Sequence, residues 1–145
     1  MNNAITNLNF FTGGNATFTV SNGRGEHYTY RIRKKNDKRY ADTYFIGLLT
    51  GPDNTSSYTY MGLYAPNANK CILTNKSKCT TGSKPVNVFD WAVRIVGNMT
   101  RGEPFRIPNG YSIQHKGKCA RCGRALTDPD SIDRGFGPEC WKSIG

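Results

Sequence analysis

Apolar and polar residues alternate in two early stretches of the chain. In residues 16–20, Ala, Phe and Val alternate with Thr, and in residues 28–33, Tyr and Ile alternate with Thr and Arg. A period of two is typical of half-buried β-strands. The segment between them, Ser21–Gly25, is rich in turn-forming residues. The pattern therefore predicts a β-hairpin.

Two further strands are predicted downstream. Residues 43–50 are apolar on both faces, which indicates a central strand, and residues 57–64 alternate again after a long turn at Gly51–Ser57. The order of these strands indicates an antiparallel meander, and a short strand is also predicted at Cys71–Thr74. The tyrosines of the strands are expected to share a buried face beneath a helix, and a stacking platform for unpaired bases is the alternative. These tyrosines are Tyr28, Tyr30, Tyr58, Tyr60 and Tyr64.

Helical spacing of apolar residues occurs between Phe89 and Val96. Asn87 is expected to cap this helix and Gly97 to end it. Asp90 and Arg94 would form an i, i+4 ion pair on its outer side. We expect the helix to pack across one face of the sheet.

These elements predict an α+β fold. An antiparallel β-meander with one packed helix occupies residues 1–105, and a small C-terminal module occupies residues 106–145. Residues before Asn15 are expected to form a frayed end and a loose lead-in. The sequence shows neither a signal peptide nor an apolar run long enough to span a bilayer. We therefore expect a cytoplasmic protein with reduced cysteines.

The C-terminal module holds a candidate metal site. Cys119 and Cys122 form a Cys-x-x-Cys pair followed by glycine, and Cys140 follows a Gly-Pro-Glu run where a helix is expected to begin. With His115 as the expected fourth ligand, the set suits a closed structural zinc site. Ordinary buried thiols are the alternative, but the segment is too short and polar to bury a core unaided.

The same residues resemble a known family. The run CARCGRALTDPDSI, followed by GFGPEC, is similar to a small zinc-finger-like family of unknown function that recurs in bacteriophage and mobile-element proteins. The resemblance covers Cys119 to Cys140 and implies a treble-clef-like zinc finger: a Cys-x-x-Cys knuckle, a hairpin and a helix. A common treble clef takes two ligands from that helix, whereas this chain offers only Cys140 there. The resemblance implies no established activity.

The remaining cysteines, Cys71 and Cys79, have no neighbouring Cys or His in sequence. We expect two free thiols, and a second metal pair is the alternative.

The chain carries a formal net charge of +10, with thirteen basic against six acidic residues in residues 1–105. Such a surplus favours an acidic partner, either nucleic acid, with DNA expected, or an acidic protein surface. The candidate contacts are Arg31, Arg33, Lys34, Lys35, Lys38 and Arg39, with Arg121 and Arg124 in the module. Lys116, Lys118 and Arg134 also surround the proposed metal. Solvated surface charges are the alternative interpretation.

No catalytic constellation is evident, because the chain has two histidines and one of them is the expected ligand. The first hypothesis is a non-enzymatic, zinc-stabilised nucleic-acid-binding protein of phage or mobile-element type. The alternative is a phage-encoded inhibitor or adaptor that binds a host enzyme in the host cytoplasm. Neither a membrane nor a small-molecule substrate is expected as partner.

Overall fold

The computed structural model describes residues 3–35, 39, 42–51 and 57–144 of the chain. In these residues six strands form one antiparallel sheet: β1 (Asn15–Ser21), β2 (His27–Lys34), β3 (Tyr44–Leu49), β4 (Tyr58–Ala65), β5 (Lys70–Ile72) and β6 (Ser112–His115). The same part of the chain holds a 3₁₀ helix at Leu8–Phe10 and three α-helices, α1 (Lys84–Arg101), α2 (Pro129–Arg134) and α3 (Pro138–Ile144).

The strand order is β5-β4-β3-β2-β1-β6. Strands β1 to β5 therefore follow one another in space as in sequence, which confirms the predicted meander. Strand β6 pairs with the free edge of β1, with Phe18 opposite His115. Residues 52–56 of the predicted long turn lie outside the described residues.

Helix α1 begins and ends at other residues than the sequence predicts. Its N-cap is Ser83, and Pro85 occupies the first turn, where a missing N–H costs no hydrogen bond. Asn87 is one turn inside, and its side-chain amide donates to the carbonyl of Gly82. The helix ends at Gly102, whose φ of 71° is the left-handed conformation that glycine adopts readily.

Gly97 lies inside α1 rather than at its end. A β-carbon there would lie 2.8 Å from Nδ2 of Asn69, so the site favours glycine because of close packing. Asp90 does not face outward as predicted. Its carboxylate accepts a hydrogen bond from the backbone N–H of Cys71 at 2.8 Å, which ties the helix to strand β5.

Aromatic side chains fill the interface between α1 and the sheet. Phe89 of α1 is fully buried. Its ring centroid lies 6.1 Å from that of Phe18, 5.2 Å from that of Tyr30 and 6.0 Å from that of Tyr64. The hydroxyl of Tyr30 donates to the carbonyl of Pro85 at 2.7 Å, so a buried polar group is satisfied.

The prediction that the tyrosines of β4 share one face is wrong. Opposite β3, the register passes from Gly62 directly to Tyr60, which leaves Met61 as an extra residue in a β-bulge. A one-residue bulge reverses the alternation of side chains. Tyr64 therefore lies in the core with Phe89, whereas Tyr58 lies on the other face beside Arg31.

The segment before β1 is part of the core and not a loose lead-in. Ile5, Phe10 and Phe11 are at most 3 % exposed. The ring of Phe11 packs against Phe18 of the sheet, and that of Phe10 packs against Phe136 near the C-terminus. The N-terminal segment thus packs against both the sheet and residues near the C-terminus.

The predicted module, residues 106–145, contributes β6 to the sheet, and its buried residues Cys119, Ala120, Phe136 and Cys140 belong to the same core cluster as the strands. None of the helices in the described ranges has the length and apolar character needed to cross a bilayer.

Candidate metal centre and basic groove

Three cysteines meet in the C-terminal segment. The sulfur atoms of Cys119, Cys122 and Cys140 all lie within 4.8 Å of one another. The knuckle that holds the first two is closed by the N–H of Gly123, which donates to the carbonyl of Cys119 at 2.9 Å. Gly123 has a φ of 78°, a conformation that favours glycine in such a turn.

Cys140 reaches the cluster from the first turn of α3. Gly135, with a φ of 79°, ends α2, and a β-carbon on it would lie 2.6 Å from the ring of Phe10. Helix α3 then begins at Pro138. The turn through residues 135–137 therefore brings Cys140 to the other two sulfurs.

Backbone groups favour a thiolate at Cys119. Burial opposes ionisation, but N–H groups of Cys122, Gly137 and Arg121 lower the pKa of Cys119 to about 7. The N–H of Arg121 lies 3.4 Å from this sulfur. At Cys140, burial and the neighbouring thiols raise the pKa instead. A divalent metal would remove this conflict, because it binds all three sulfurs as thiolates.

The donor set fits a metal ion of tetrahedral preference. Zn–S bonds of about 2.3 Å at tetrahedral angles place sulfurs about 3.8 Å apart. The separations of at most 4.8 Å are compatible with that arrangement after a small adjustment. Among the described residues, no fourth His, Cys, Asp or Glu side chain joins the group.

His115 is not brought into the cluster, in contrast to the prediction that it is the fourth ligand. Its Nδ1 accepts a hydrogen bond from the N–H of Gly117 at 2.9 Å, so its Nε2 carries the proton and donates to the carbonyl of Ile132 at 2.6 Å. The ring is 3 % exposed and stacks on Phe10. His115 thus joins β6 to α2, and neither nitrogen offers a free lone pair to a metal.

Replacing His115 is accordingly expected to destabilise the protein without affecting metal binding by the three cysteines. His115→Ala should lower the free energy of unfolding by about 2–3 kcal/mol, because two buried backbone groups lose their partners. Elemental analysis of the folded variant should still give the metal content of the parent protein. Loss of the metal from a folded His115→Ala protein would restore His115 as a ligand.

The other two cysteines are free and lie outside the cluster. Burial raises the pKa of Cys71 to about 12. Burial also raises the pKa of Cys79. Both thiols therefore hold their protons more tightly than an ordinary cysteine does.

A basic groove of about 510 Å³ crosses the face of the sheet opposite α1. Its floor includes threonines of β1 and β2, and Thr19 and Thr29 share a hydrogen bond of 2.7 Å. Cations line it from two directions, Arg31 and Arg33 from β2 and Lys116 and Lys118 from the segment after β6. None of the described residues that line it is acidic.

The pairing of β6 with β1 brings these two groups of cations together, and nothing in the local sequence specifies that pairing. The guanidinium of Arg31 lies over the ring of Tyr58, 4.0 Å from its centroid. Burial and the neighbouring Arg33 lower the pKa of Arg31. A bound anion would offset the repulsion between the two guanidinium groups.

The other predicted nucleic-acid contacts do not line the basic groove. Lys34 pairs with Asp42 at 3.3 Å, and the ammonium of Lys35 lies 4.7 Å from the ring centroid of Phe45. Arg39, Arg121 and Arg124 are exposed and do not line the groove. Arg134 lies over the ring of Trp141, and Lys38 is outside the described residues.

Comparison with known proteins adds one finding about the C-terminal segment. No curated protein and no solved structure matches the chain. Residues 112–145, which contain β6 and the three-cysteine cluster, match the model of a family of unknown function (DUF6011).

Proposed function

We propose that the protein binds nucleic acid in the basic groove, without enzymatic activity, and that a zinc ion holds its C-terminal segment in place. The observation that carries the proposal is the groove itself: four cations from separate parts of the chain converge on one concave face without an acidic neighbour among its described residues. Surface charges that serve solubility alone are instead mixed with acids. Phosphates are the anions that such a row of Arg and Lys binds best.

Zinc is proposed because three thiolates are soft ligands, which zinc accepts in structural sites. The knuckle, the bridge between Lys118 and Ala125 and the cysteine in the first turn of α3 support a treble-clef-like arrangement. The reduced cysteines are compatible with a cytoplasmic protein, and the sequence resemblance supports a phage or mobile-element origin.

Two double variants, each of which removes two positive charges, test the proposal. Lys116→Ala/Lys118→Ala removes two groove cations, and Arg124→Ala/Lys142→Ala removes two exposed cations from the same segment but outside the groove. At low salt, the groove variant should bind DNA and RNA oligonucleotides roughly tenfold to hundredfold more weakly than the parent. The slope of log affinity against log salt concentration should become smaller by about two. The second should change both much less. Fluorescence anisotropy at several salt concentrations measures these quantities.

Equal losses in both variants would indicate a diffuse charge effect and would contradict a specific groove. A pull-down from host lysate with nuclease treatment distinguishes nucleic-acid binding from the predicted role as an inhibitor or adaptor. Retention of a host protein after nuclease, together with no affinity for any oligonucleotide, would favour that second hypothesis.

A further inference from the structure

A second cavity, of about 450 Å³, adjoins the basic groove at the end of the β1–β2 hairpin. It is lined by the hairpin tip, by the N-terminal half of α1 and by the segment before β6, and it is open to solvent on one side. His27 lines both this cavity and the groove, so the two approach each other at this residue.

Three aromatic rings form its walls. Tyr28 and Trp91 are half-buried, and Tyr111 is 41 % exposed. The rings of Trp91 and Tyr111 meet edge to face with centroids 5.6 Å apart. Open aromatic surface of this kind is what flat heterocycles stack upon, as the bases do in single-strand-binding proteins. The volume is also in the usual range for a site that holds a small planar group.

The charges at the rim favour a nucleotide over an apolar peptide side chain. Arg24 and Lys84 are both at the rim, against a single acid, Glu26. Lys84 forms an ion pair of 2.7 Å with Glu26, which neutralises that acid and leaves the rim with a positive surplus. A nucleotide needs a cation for its phosphate next to an aromatic surface for its base, and the junction at His27 provides both.

We propose that this aromatic cavity holds one unpaired base of a single strand whose phosphates follow the basic groove. The inference rests on the proposed function, and it adds a preference for single-stranded over duplex nucleic acid. In a duplex, the bases are paired and stacked inside the helix, so none reaches the cavity unless its pairing and stacking are first broken.

The test compares a single-stranded 12-mer with a duplex of the same length. Tyr111→Ala should lower the affinity for the single strand about tenfold, which corresponds to the loss of about 1.4 kcal/mol of stacking, and should leave duplex affinity unchanged. Tyr111→Phe keeps the ring and should keep the affinity. Phe105→Ala is the matched control, because Phe105 is an aromatic residue 49 % exposed that lines neither cavity.

A second readout is the fluorescence of Trp91. In a Trp141→Phe background, Trp91 is the remaining tryptophan. Its emission should be quenched by the single strand and not by the duplex.

The outcomes separate the inference from the proposed function. Suppose that Tyr111→Ala binds the single strand as tightly as the parent while Lys116→Ala/Lys118→Ala binds it more weakly. The proposal of a base site in the aromatic cavity is then wrong, and the proposal of nucleic-acid binding in the basic groove is supported. Equal losses for single strand and duplex would also overturn the base site. If the parent protein binds no oligonucleotide, both proposals fall.

Discussion

Removing the proposed zinc ion from the three-cysteine cluster is expected to unfold residues 112–144 and to lower the free energy of unfolding by roughly 5 kcal/mol or more. Helices α2 and α3 have six and seven residues, and helices of that length are not stable by themselves. The cluster is what joins α3 to the knuckle at Cys119 and Cys122. Thermal melts followed by circular dichroism, with and without a chelator, measure the loss.

Single cysteine variants make this test specific. Cys122 is exposed, so Cys122→Ser removes a metal ligand while it disturbs little packing. It should lose the metal and melt like the chelated parent. Cys79→Ser is the control, because Cys79 lies outside the cluster and should retain the parent's metal content and stability. A parent protein that contains no metal and melts identically with chelator would contradict the proposed zinc centre.

Phe89→Ala is expected to lower the free energy of unfolding by about 3–5 kcal/mol, the cost of removing a fully buried phenylalanine. The ring contacts Phe18 of β1, Tyr30 of β2 and Tyr64 of β4 at centroid distances of 5.2–6.1 Å. The cavity would therefore open where α1 meets three strands, and edge-to-face contacts would be lost as well. Equilibrium unfolding in urea measures the change through a shifted midpoint.

Phe105→Ala removes the same side-chain atoms from an exposed position. It should change the free energy of unfolding by no more than about 0.5 kcal/mol, as is usual for surface substitutions. Comparable losses for Phe89→Ala and Phe105→Ala would mean that the ring cluster is not the centre of the core.

The sheet was predictable wherever one face of a strand is buried, because burial imposes a period of two. Strand β1 follows that rule along its whole length, whereas in β2 the neighbours Thr29 and Tyr30 are both buried. Strand β4 follows it only up to Met61, since a bulge depends on how two strands pair and leaves no mark in the alternation itself. The faces of Tyr58 and Tyr64 could not be assigned for that reason.

The ends of α1 and the role of the N-terminal segment were missed because tertiary packing overrides local preferences. Gly97 is a usual helix terminator, but here it allows close contact with Asn69. Phe10 and Phe11 precede a glycine pair, which favoured a loop, yet the C-terminal segment folds over them and completes their burial. The one signal in the sequence for their burial was their residue type, because phenylalanine is among the residues most often found inside proteins.

The candidate metal centre was predictable in part. A Cys-x-x-Cys pair followed by glycine indicates a knuckle, and Cys140 follows from the Gly-Pro run before it. Spacing alone could not exclude His115, because its distance in sequence from Cys119 is the same whether its nitrogens face the sulfurs or the backbone. The basic groove could not be predicted from the sequence, because it forms only when β6 pairs with β1, which is a long-range contact.

That pairing has a consequence for the order of folding. Phe18 lies opposite His115, so the last strand closes a loop that spans most of the chain, whereas β1 to β5 join neighbours in sequence. Long-range closure is slow compared with hairpin formation. During synthesis the outer edge of β1 stays uncovered until residues 112–115 have been made, and an uncovered edge invites pairing with another chain. Folding of the cysteine-bearing segment therefore also protects the protein from aggregation, because it places β6 on the exposed edge of β1.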